Sequence, residues 1–316
     1  MPAILKSICL ALLALILASS AEAGAASCPG DSPLAVQVLG SGGPIADDGR
    51  ASTGYLVWID GAARILVDTG GGTFLRLGEA GARFGDLDFI GLSHFHTDHS
   101  ADLPALLKSG FFSKRSRPLP IAGPGGGGPF PGLQGYLAAM LGAERGAYAY
   151  LSGYLDGSGG LAKLEQIEVP VDSRGPVALT AAANERFAVD ALPVPHGPVP
   201  TVAFRLRLGD TTLVFSSDQN GSNPAFVEFA RDADLLVMHM PIPLEADEVA
   251  KKLHATPDRI GAIAQAAGAN TLLLSHFMAR SLANLDENVD LVRSGYSGRV
   301  IVAEDLACVH LTADDL

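Results

Sequence analysis

Three histidines and an aspartate fall within six positions of the segment SHFHTDHS, residues 93–100. They are His94, His96, Asp98 and His99. The chain has only eight histidines in 316 residues, so chance is a poor explanation for this grouping. Imidazole nitrogens and carboxylate oxygens are ligands for Zn²⁺ and related divalent ions. His94 and His96 can reach one ion together, and the next two side chains then face a neighbouring position. The segment therefore predicts metal binding.

One loop cannot complete two metal sites, and three further candidates each end or follow an apolar run. They are His196, Asp218 and His276. A single histidine is more often a hydrogen-bonded structural residue than a ligand. Because all three follow predicted strands, they should meet the histidine segment at one edge of the sheets, where a scaffold fixes their direction. That shared position favours metal binding.

Apolar runs bounded by Gly, Pro and Asp predict strands. One of them, 87–93, leads directly into the histidine segment. The others are 34–40, 53–60, 63–70, 187–194, 202–209, 211–218, 234–240, 270–276 and 299–305. Helices are predicted over 98–110 and over 256–268, where Thr256 is the N-cap and Gly268 lies beyond the end. Strand-rich halves with interleaved helices predict an α/β fold, an αββα sandwich with the metal site at one edge of its two sheets.

The first residues, 1–23, are predicted to be an export signal. Lys6 precedes an unbroken apolar run at 8–18, and Ala21-Glu22-Ala23 forms a small-x-small cleavage site. The run is shorter than the roughly 20 residues that a membrane-spanning helix needs, so we expect cleavage and no stable membrane association. The rest, 24–316, shows no linker and is predicted to be one domain, periplasmic or secreted.

The net charge of −12 bears on possible partners. Proteins that bind nucleic acid usually cluster Lys and Arg. The only such cluster, KSGFFSKRSR at 108–117, is interpreted as a solvated helix end, and GPGGGGPFPG at 123–132 as a connecting loop. We therefore expect a small-molecule substrate and no nucleic acid. The sequence leaves open whether the protein forms a homodimer.

Two cysteines remain after the predicted cleavage, Cys28 and Cys308. In an oxidising compartment they can form a disulfide. The alternative is that AASC at 25–28 is a lipoprotein signal with Cys28 acylated. The sequence leaves both open.

The spacing of the candidate ligands resembles that of the metallo-β-lactamase superfamily over nearly the whole predicted mature chain. The resemblance begins at VDTGGG, which contains Asp68, and runs through the histidine segment to His276. The most similar branch is that of ribonuclease Z and the arylsulfatase-type hydrolases. LGSGGP at 39–44 and the segment 254–277 carry that finer likeness.

The resemblance implies a role for each matching residue in a two-zinc site, with other divalent metals as alternatives. One ion would be held by His94, His96 and His196, the other by Asp98, His99 and His276, and Asp218 would bridge them. The two ions would activate a shared hydroxide at neutral pH. Asp98 would also orient that hydroxide or take its proton, while Asp68 would fix the tautomer of a ligand histidine. His254 would stabilise charge on the attacked group.

Two departures from ribonuclease Z bear on the substrate. Only 21 residues separate His196 from Asp218, which leaves no room for the long tRNA-binding arm of that enzyme. Where it has a His-Glu pair, this chain has His239 followed by Met240. Both departures argue against tRNA processing. His239 is interpreted as packed behind the ligands, and His310 as structural.

The leading hypothesis is an exported dizinc hydrolase of a small anionic ester, either a phosphodiester or a sulfate ester. The alternative keeps the metals but cleaves a cyclic acyl bond, as a lactonase or β-lactamase does. A metal-binding protein without catalysis is a third hypothesis. The ligand set argues against it, since a purely structural zinc is closed by four protein ligands.

Overall fold

The computed structural model describes Cys28 and residues 32–311 of the chain. These residues form two seven-stranded sheets packed against each other, with helices on the outer faces. The predicted αββα sandwich is confirmed. The predicted export signal, 1–23, lies outside the described residues.

The first sheet has the strand order β14-β1-β2-β3-β4-β5-β6. Its strands are β1 (Leu34–Gly40), β2 (Gly54–Ile59), β3 (Ala62–Val67), β4 (Phe89–Gly91), β5 (Leu119–Pro124), β6 (Leu164–Val169) and β14 (Cys308–His310). Strands β3 to β6 run parallel, and β14, β1, β2 and β3 pair antiparallel. The parallel strands therefore end at one common edge.

The second sheet has the order β13-β12-β11-β10-β9-β8-β7. Its strands are β7 (Val177–Ala178), β8 (Ala188–Pro193), β9 (Val202–Leu208), β10 (Thr211–Phe215), β11 (Leu235–His239), β12 (Thr271–Ser275) and β13 (Arg299–Val302). Strands β10 to β13 are parallel, and β7 to β10 pair antiparallel. Since β8 is antiparallel to β9 and β9 to β10, β8 ends at the same edge as β10.

Ten α-helices in the described part of the chain lie outside the sheets. They are α1 (Thr73–Glu79), α2 (Thr97–Ser100), α3 (Leu103–Gly110), α4 (Leu133–Leu141), α5 (Gly153–Asp156), α6 (Ala225–Phe229), α7 (Glu248–Leu253), α8 (Pro257–Ala267), α9 (Ala279–Leu282) and α10 (Leu285–Gly295). No helix in the described part of the chain is long and apolar enough to cross a membrane.

The core between the sheets consists of aliphatic and aromatic side chains from both inner faces. Phe89 of β4 meets Phe204 of β9 edge to face, with ring centroids 6.0 Å apart. Tyr55 of β2 meets Phe215 of β10 at 5.4 Å. Each fully buried side chain of this size contributes about 1.5–3 kcal/mol by leaving water. These contacts hold the two sheets in register, so strand ends from both sheets face one another across a single edge.

Most predicted strands are confirmed, with four omissions. Strands β5, β6, β7 and β14 were not predicted. Strand β5 was missed because it has prolines near both ends, and proline is rare inside sheets. The helix predicted over 98–110 is two helices, α2 and α3, with Pro104 in the first turn of the second. Helix α8 has the predicted limits, and Gly268 ends it in the left-handed conformation.

The two ends of the described chain are joined by a disulfide between Cys28 and Cys308. Their Cα atoms lie 5.6 Å apart, and the Cys28 side chain is buried. Of the two alternatives for Cys28, the structure contains the disulfide.

Candidate metal centre

The predicted ligands all follow strands that end at the common edge of the two sheets. Asp68 follows β3, and the histidine segment follows β4. In the second sheet, His196 follows β8, Asp218 follows β10 and His276 follows β12. Residues more than 180 positions apart in the sequence therefore meet at one place.

Three residues turn the chain sharply after their strands. Asp68, Ser217 and His276 have φ values of 61°, 56° and 57°. A non-glycine residue in such a conformation costs about 1–3 kcal/mol and persists only where its surroundings hold it. Asp68 is held by the backbone N–H and hydroxyl of Ser93, which donate to its carboxylate at 2.7 and 2.8 Å. Asp68 and His276 in these turns contact His99 and Asp218 of the site.

The first cluster consists of His94, His96 and His196. Nε2 of His94 lies 3.0 Å from Nδ1 of His96. The His196 ring centroid lies 5.1 Å from that of His94 and 5.3 Å from that of His96. One nitrogen from each ring falls within 4.8 Å of the others, a spacing that one metal ion can span. These are the three residues predicted to share one ion.

The second cluster surrounds the carboxylate of Asp218. One of its oxygens lies 3.6 Å from Nε2 of His99 and 3.6 Å from Nε2 of His196, and the other lies 3.3 Å from Nε2 of His276. The Asp98 carboxylate lies 3.7 Å from Nε2 of both His99 and His276. Asp218 thus touches members of both clusters, as a bridging ligand must.

Three of the buried rings have a fixed partner for the nitrogen that faces away from the clusters. Nδ1 of His99 donates to Asp68 at 2.8 Å, Nδ1 of His196 donates to the carbonyl of Leu253 at 2.9 Å, and Nδ1 of His276 lies 2.6 Å from the hydroxyl of Thr53. Such partners fix the tautomer and leave Nε2 free to bind a metal. The predicted role of Asp68 agrees with this contact.

Several inward-facing nitrogens have no hydrogen-bond partner among the described residues. They are Nε2 of His99, Nε2 of His196 and Nδ1 of His254, all buried. A buried polar atom without a partner costs about 1–3 kcal/mol. A divalent cation bound between the two clusters would satisfy these nitrogens, so the residues present fit a metal.

The pKa values of the buried histidines indicate that most are neutral. Burial lowers the pKa of His94 well below its usual range and that of His254 to about 3. Against the effect of burial, the histidines around Asp218 hold its pKa well below the usual range. The pKa of His99 is raised well above its usual range, because Asp68, Asp98 and Asp218 outweigh the burial that would lower it. The three carboxylates surround the His99 ring with negative charge, which a bound metal ion would balance.

Sequence reasoning did not identify the contact that His239 makes. Its Nδ1 donates to Asp218 at 2.7 Å, and its Nε2 accepts from the Tyr55 hydroxyl at 3.1 Å. The position of His239 at the end of β11, on the same edge as the candidate ligands, was the sequence feature that could have predicted this contact. His310, by contrast, is exposed on β14.

A cleft of about 510 Å³ opens over the two clusters. His254, predicted to stabilise charge, lies at its wall, with Nδ1 3.8 Å from an Asp218 oxygen. Arg280 also lines the cleft and donates to the carbonyl of Pro241 at 2.9 Å. The other lining residues are Pro44, Phe95, His96, Thr97, Asp98, His196, Asp218, Leu253, His276 and Met278. A substrate in this cleft therefore meets a cation and members of both clusters.

Residues 63–277 match the family described as "Beta-lactamase superfamily domain". A Ribonuclease Z from Mycolicibacterium paratuberculosis is 29% identical over 293 residues, which take in 89% of this chain and 99% of the relative. A Ribonuclease Z from Methanosarcina acetivorans is 28% identical over 298 residues, which take in 86% of this chain and 96% of the relative.

Solved structures share the fold. The metallo-β-lactamase fold protein YhfI from Bacillus subtilis is 24% identical with a TM-score of 0.65, and the match covers 88% of this chain and 99% of that one. The short form of human tRNase Z is 22% identical with a TM-score of 0.65, covering 87% of this chain and 98% of that one. At these identities the likeness shows the fold alone.

The expectation that nucleic acid is not a partner is wrong. It rested on the missing arm and on net charge. Strands β9 and β10 do form a tight hairpin, so no arm separates His196 from Asp218. Yet the mycobacterial Ribonuclease Z matches this chain along 99% of its own length, so the two do not differ by a long arm. Net charge, being a whole-chain average, does not describe any one surface.

The matched family segment contains every predicted ligand, from the histidine segment after β4 to His276 after β12. The relatives that extend over most of the chain carry the name Ribonuclease Z. The chain therefore belongs to the metallo-β-lactamase superfamily, as a metal-dependent hydrolase of the ribonuclease Z branch.

Proposed function

We propose that the protein is a phosphodiesterase that works with two divalent ions, zinc being the favoured metal. One ion would be held by His94, His96 and His196, the other by Asp98, His99 and His276, with Asp218 shared. The observation that carries this proposal is the position of Asp218 between two clusters whose inward nitrogens have no hydrogen-bond partner. Imidazole and carboxylate ligands in this number suit Zn²⁺.

Two bound divalent ions would supply positive charge and an activated water. Asp98, at the floor of the cleft, can orient the attacking water or accept its proton. His254 stays neutral at physiological pH, because burial lowers its pKa to about 3. A neutral imidazole can donate one hydrogen bond to a phosphoryl oxygen as charge develops there.

The substrate class follows from the cleft and from the relatives. A phosphodiester is anionic, and the Arg280 guanidinium at the cleft offers the planar donors that bind phosphate oxygens well. Relatives over most of the chain are named Ribonuclease Z, so RNA is included among the phosphodiesters. A sulfate ester is anionic too, so the preference for a phosphodiester rests on the relatives.

A substrate panel tests the proposal directly. Metal-loaded protein should hydrolyse a bis-aryl phosphate and a short RNA with a higher kcat/KM than an aryl sulfate, a lactone or a cephalosporin. Steady-state rates on each substrate are the measurement, and metal-free protein is the control. Preference for the sulfate, the lactone or the cephalosporin would contradict the phosphodiesterase assignment.

We also propose that the protein is exported. The support is the signal-like segment at 1–23 and the disulfide between Cys28 and Cys308, since disulfides persist in oxidising compartments. Intact-mass spectrometry of protein made with the full leader in a bacterial host should find a chain that begins at Gly24. The mass should rise by about two hydrogens on reduction, the change for one disulfide. An uncleaved leader or two free thiols would contradict the proposal.

A further inference from the structure

We propose that a single RNA strand binds along a line of aromatic and lysine side chains that leads from the cleft to the segment 108–117. We call this line the aromatic track; it consists of Phe95, Lys108, Phe111, Phe112, Tyr136, Tyr148 and Tyr150. The inference rests on the proposed phosphodiesterase function, and it names the surface that would guide a long substrate to that site.

The inner end of the track lies at the cleft itself. Phe95 sits between two metal-cluster residues in the sequence, and its partly exposed ring lines the cleft. It stacks on Tyr136 of α4, with ring centroids 4.5 Å apart and planes 6° apart. The Tyr136 hydroxyl donates to the carbonyl of Ser100 at 3.1 Å. These contacts hold two parallel rings at the cleft, where a base next to the reacting phosphate would lie.

The middle of the track follows α4. The backbone N–H of Tyr148 donates to the carbonyl of Met140 at 2.7 Å, and Met140 lies one helical turn beyond Tyr136. Tyr148 in turn meets Tyr150, with ring centroids 6.5 Å apart. Tyr148 therefore lies next to the end of α4, and with Tyr150 it extends the track away from the cleft.

The outer end of the track surrounds Lys108 near the end of α3. Its ammonium lies 5.2 Å from the Tyr150 ring, 4.4 Å from the Phe111 ring and 4.8 Å from the Phe112 ring. Phe112 is 71% exposed and Tyr150 61%. Exposed aromatic rings grouped in this way usually mark an interaction surface.

The segment 108–117 is therefore more than the solvated helix end expected from the sequence. Buried Arg115 donates to backbone carbonyls, among them that of Leu87, and Arg117 pairs with Asp88. These two arginines fix the loop. Lys108 and the exposed Lys114 remain as its accessible cations.

A single RNA strand fits this surface better than other partners. Stacking on aromatic rings binds unpaired bases without regard to sequence, and interspersed cations bind the backbone. Most of the surface of a protein with net charge −12 repels a polyanion, so the track offers it a favourable approach. A second copy packed on this face about a two-fold axis would bring Lys108 close to its own counterpart. A membrane-binding surface would not require aromatic rings that lead into the cleft.

The test measures RNA binding and small-substrate hydrolysis side by side. A fluorescent, phosphorothioate-linked RNA of about 12 nucleotides, within the usual range for such surfaces, is titrated against metal-loaded protein. The double variant Phe112→Ala and Tyr150→Ala should bind it at least about tenfold more weakly. Lys108→Ala and Lys114→Ala should each lower the slope of log affinity against log salt by about 0.7. Val249→Ala removes an equally exposed apolar side chain elsewhere and should change nothing.

Hydrolysis of a bis-aryl phosphate separates this inference from the proposed function. All these variants should keep the wild-type kcat/KM on that small substrate, since none of the changed residues lines the cleft. RNA affinity unchanged in the double aromatic variant would overturn the track, as would a loss confined to binding of anionic vesicles or to self-association. RNA binding that depends on the track, in a protein inactive on every phosphodiester, would support the track and refute the phosphodiesterase.

Discussion

Replacing Asp218 with alanine should abolish metal binding and hydrolysis together. Its two oxygens lie 3.3–3.6 Å from ring nitrogens of His99, His196 and His276, so its loss opens both proposed sites at once. Wild-type protein should hold about two ions per chain after mild dialysis, and Asp218→Ala fewer than one. Turnover on a phosphodiester should fall by more than the roughly 10²–10³ that the loss of one transition-state donor costs. Elemental analysis and steady-state rates are the measurements.

A buried carboxylate remote from the site provides the control. Asp190 of β8 is buried and pairs with Arg205, so Asp190→Ala removes a comparable ion pair without touching either cluster. That variant should be less stable to heat but retain both ions. If Asp218→Ala still holds two ions, or if wild-type protein is fully active with one, the shared-carboxylate arrangement is wrong.

The candidate ligands could be grouped from the sequence because each follows an apolar strand, and the pattern of strand and polar residue is local. The groups that hold the ligand side chains in place could not be predicted in this way. Thr53 lies 223 positions from His276, and the partner of His196 is a backbone carbonyl, that of Leu253. A carbonyl is present at every residue and leaves no signal in the sequence. The packing of the two sheets, a long-range property, decides both contacts.

The error about nucleic acid has a similar physical origin. Net charge and the basic segment are properties of the sequence alone. The proposed aromatic track instead combines residues near the ends of α3 and α4 with Phe95, which follows β4. Phe95 and Tyr150 are 55 positions apart, and nothing in the sequence relates them. The adjacent strands β9 and β10 were predicted correctly, but their short connection did not bear on RNA. Local spacing therefore predicted the candidate ligands, while the proposed RNA surface could be inferred only from the folded chain.

Replacing His254 with alanine should separate catalysis from metal binding. Nδ1 of His254 is 3.8 Å from an Asp218 oxygen. The chain has Met240 where the resemblance implies a glutamate in ribonuclease Z. We expect His254→Ala to keep about two ions and to lower turnover by roughly 10²–10³, the usual loss for one donor to a developing charge. His310→Ala, which removes an exposed histidine on β14, should change neither quantity.

The metal content and the turnover of His254→Ala together decide the role of His254. His254, His196 and Asp218 place one ligand atom each within 4.8 Å, so the same ring could also complete a metal site. Loss of one ion in His254→Ala would make His254 a ligand and contradict its role as a donor. Wild-type turnover would show that the ring only ends α7. Full metal content with slow turnover is the one result that fits a donor, because only a group that acts on the substrate affects the reaction without affecting the ions.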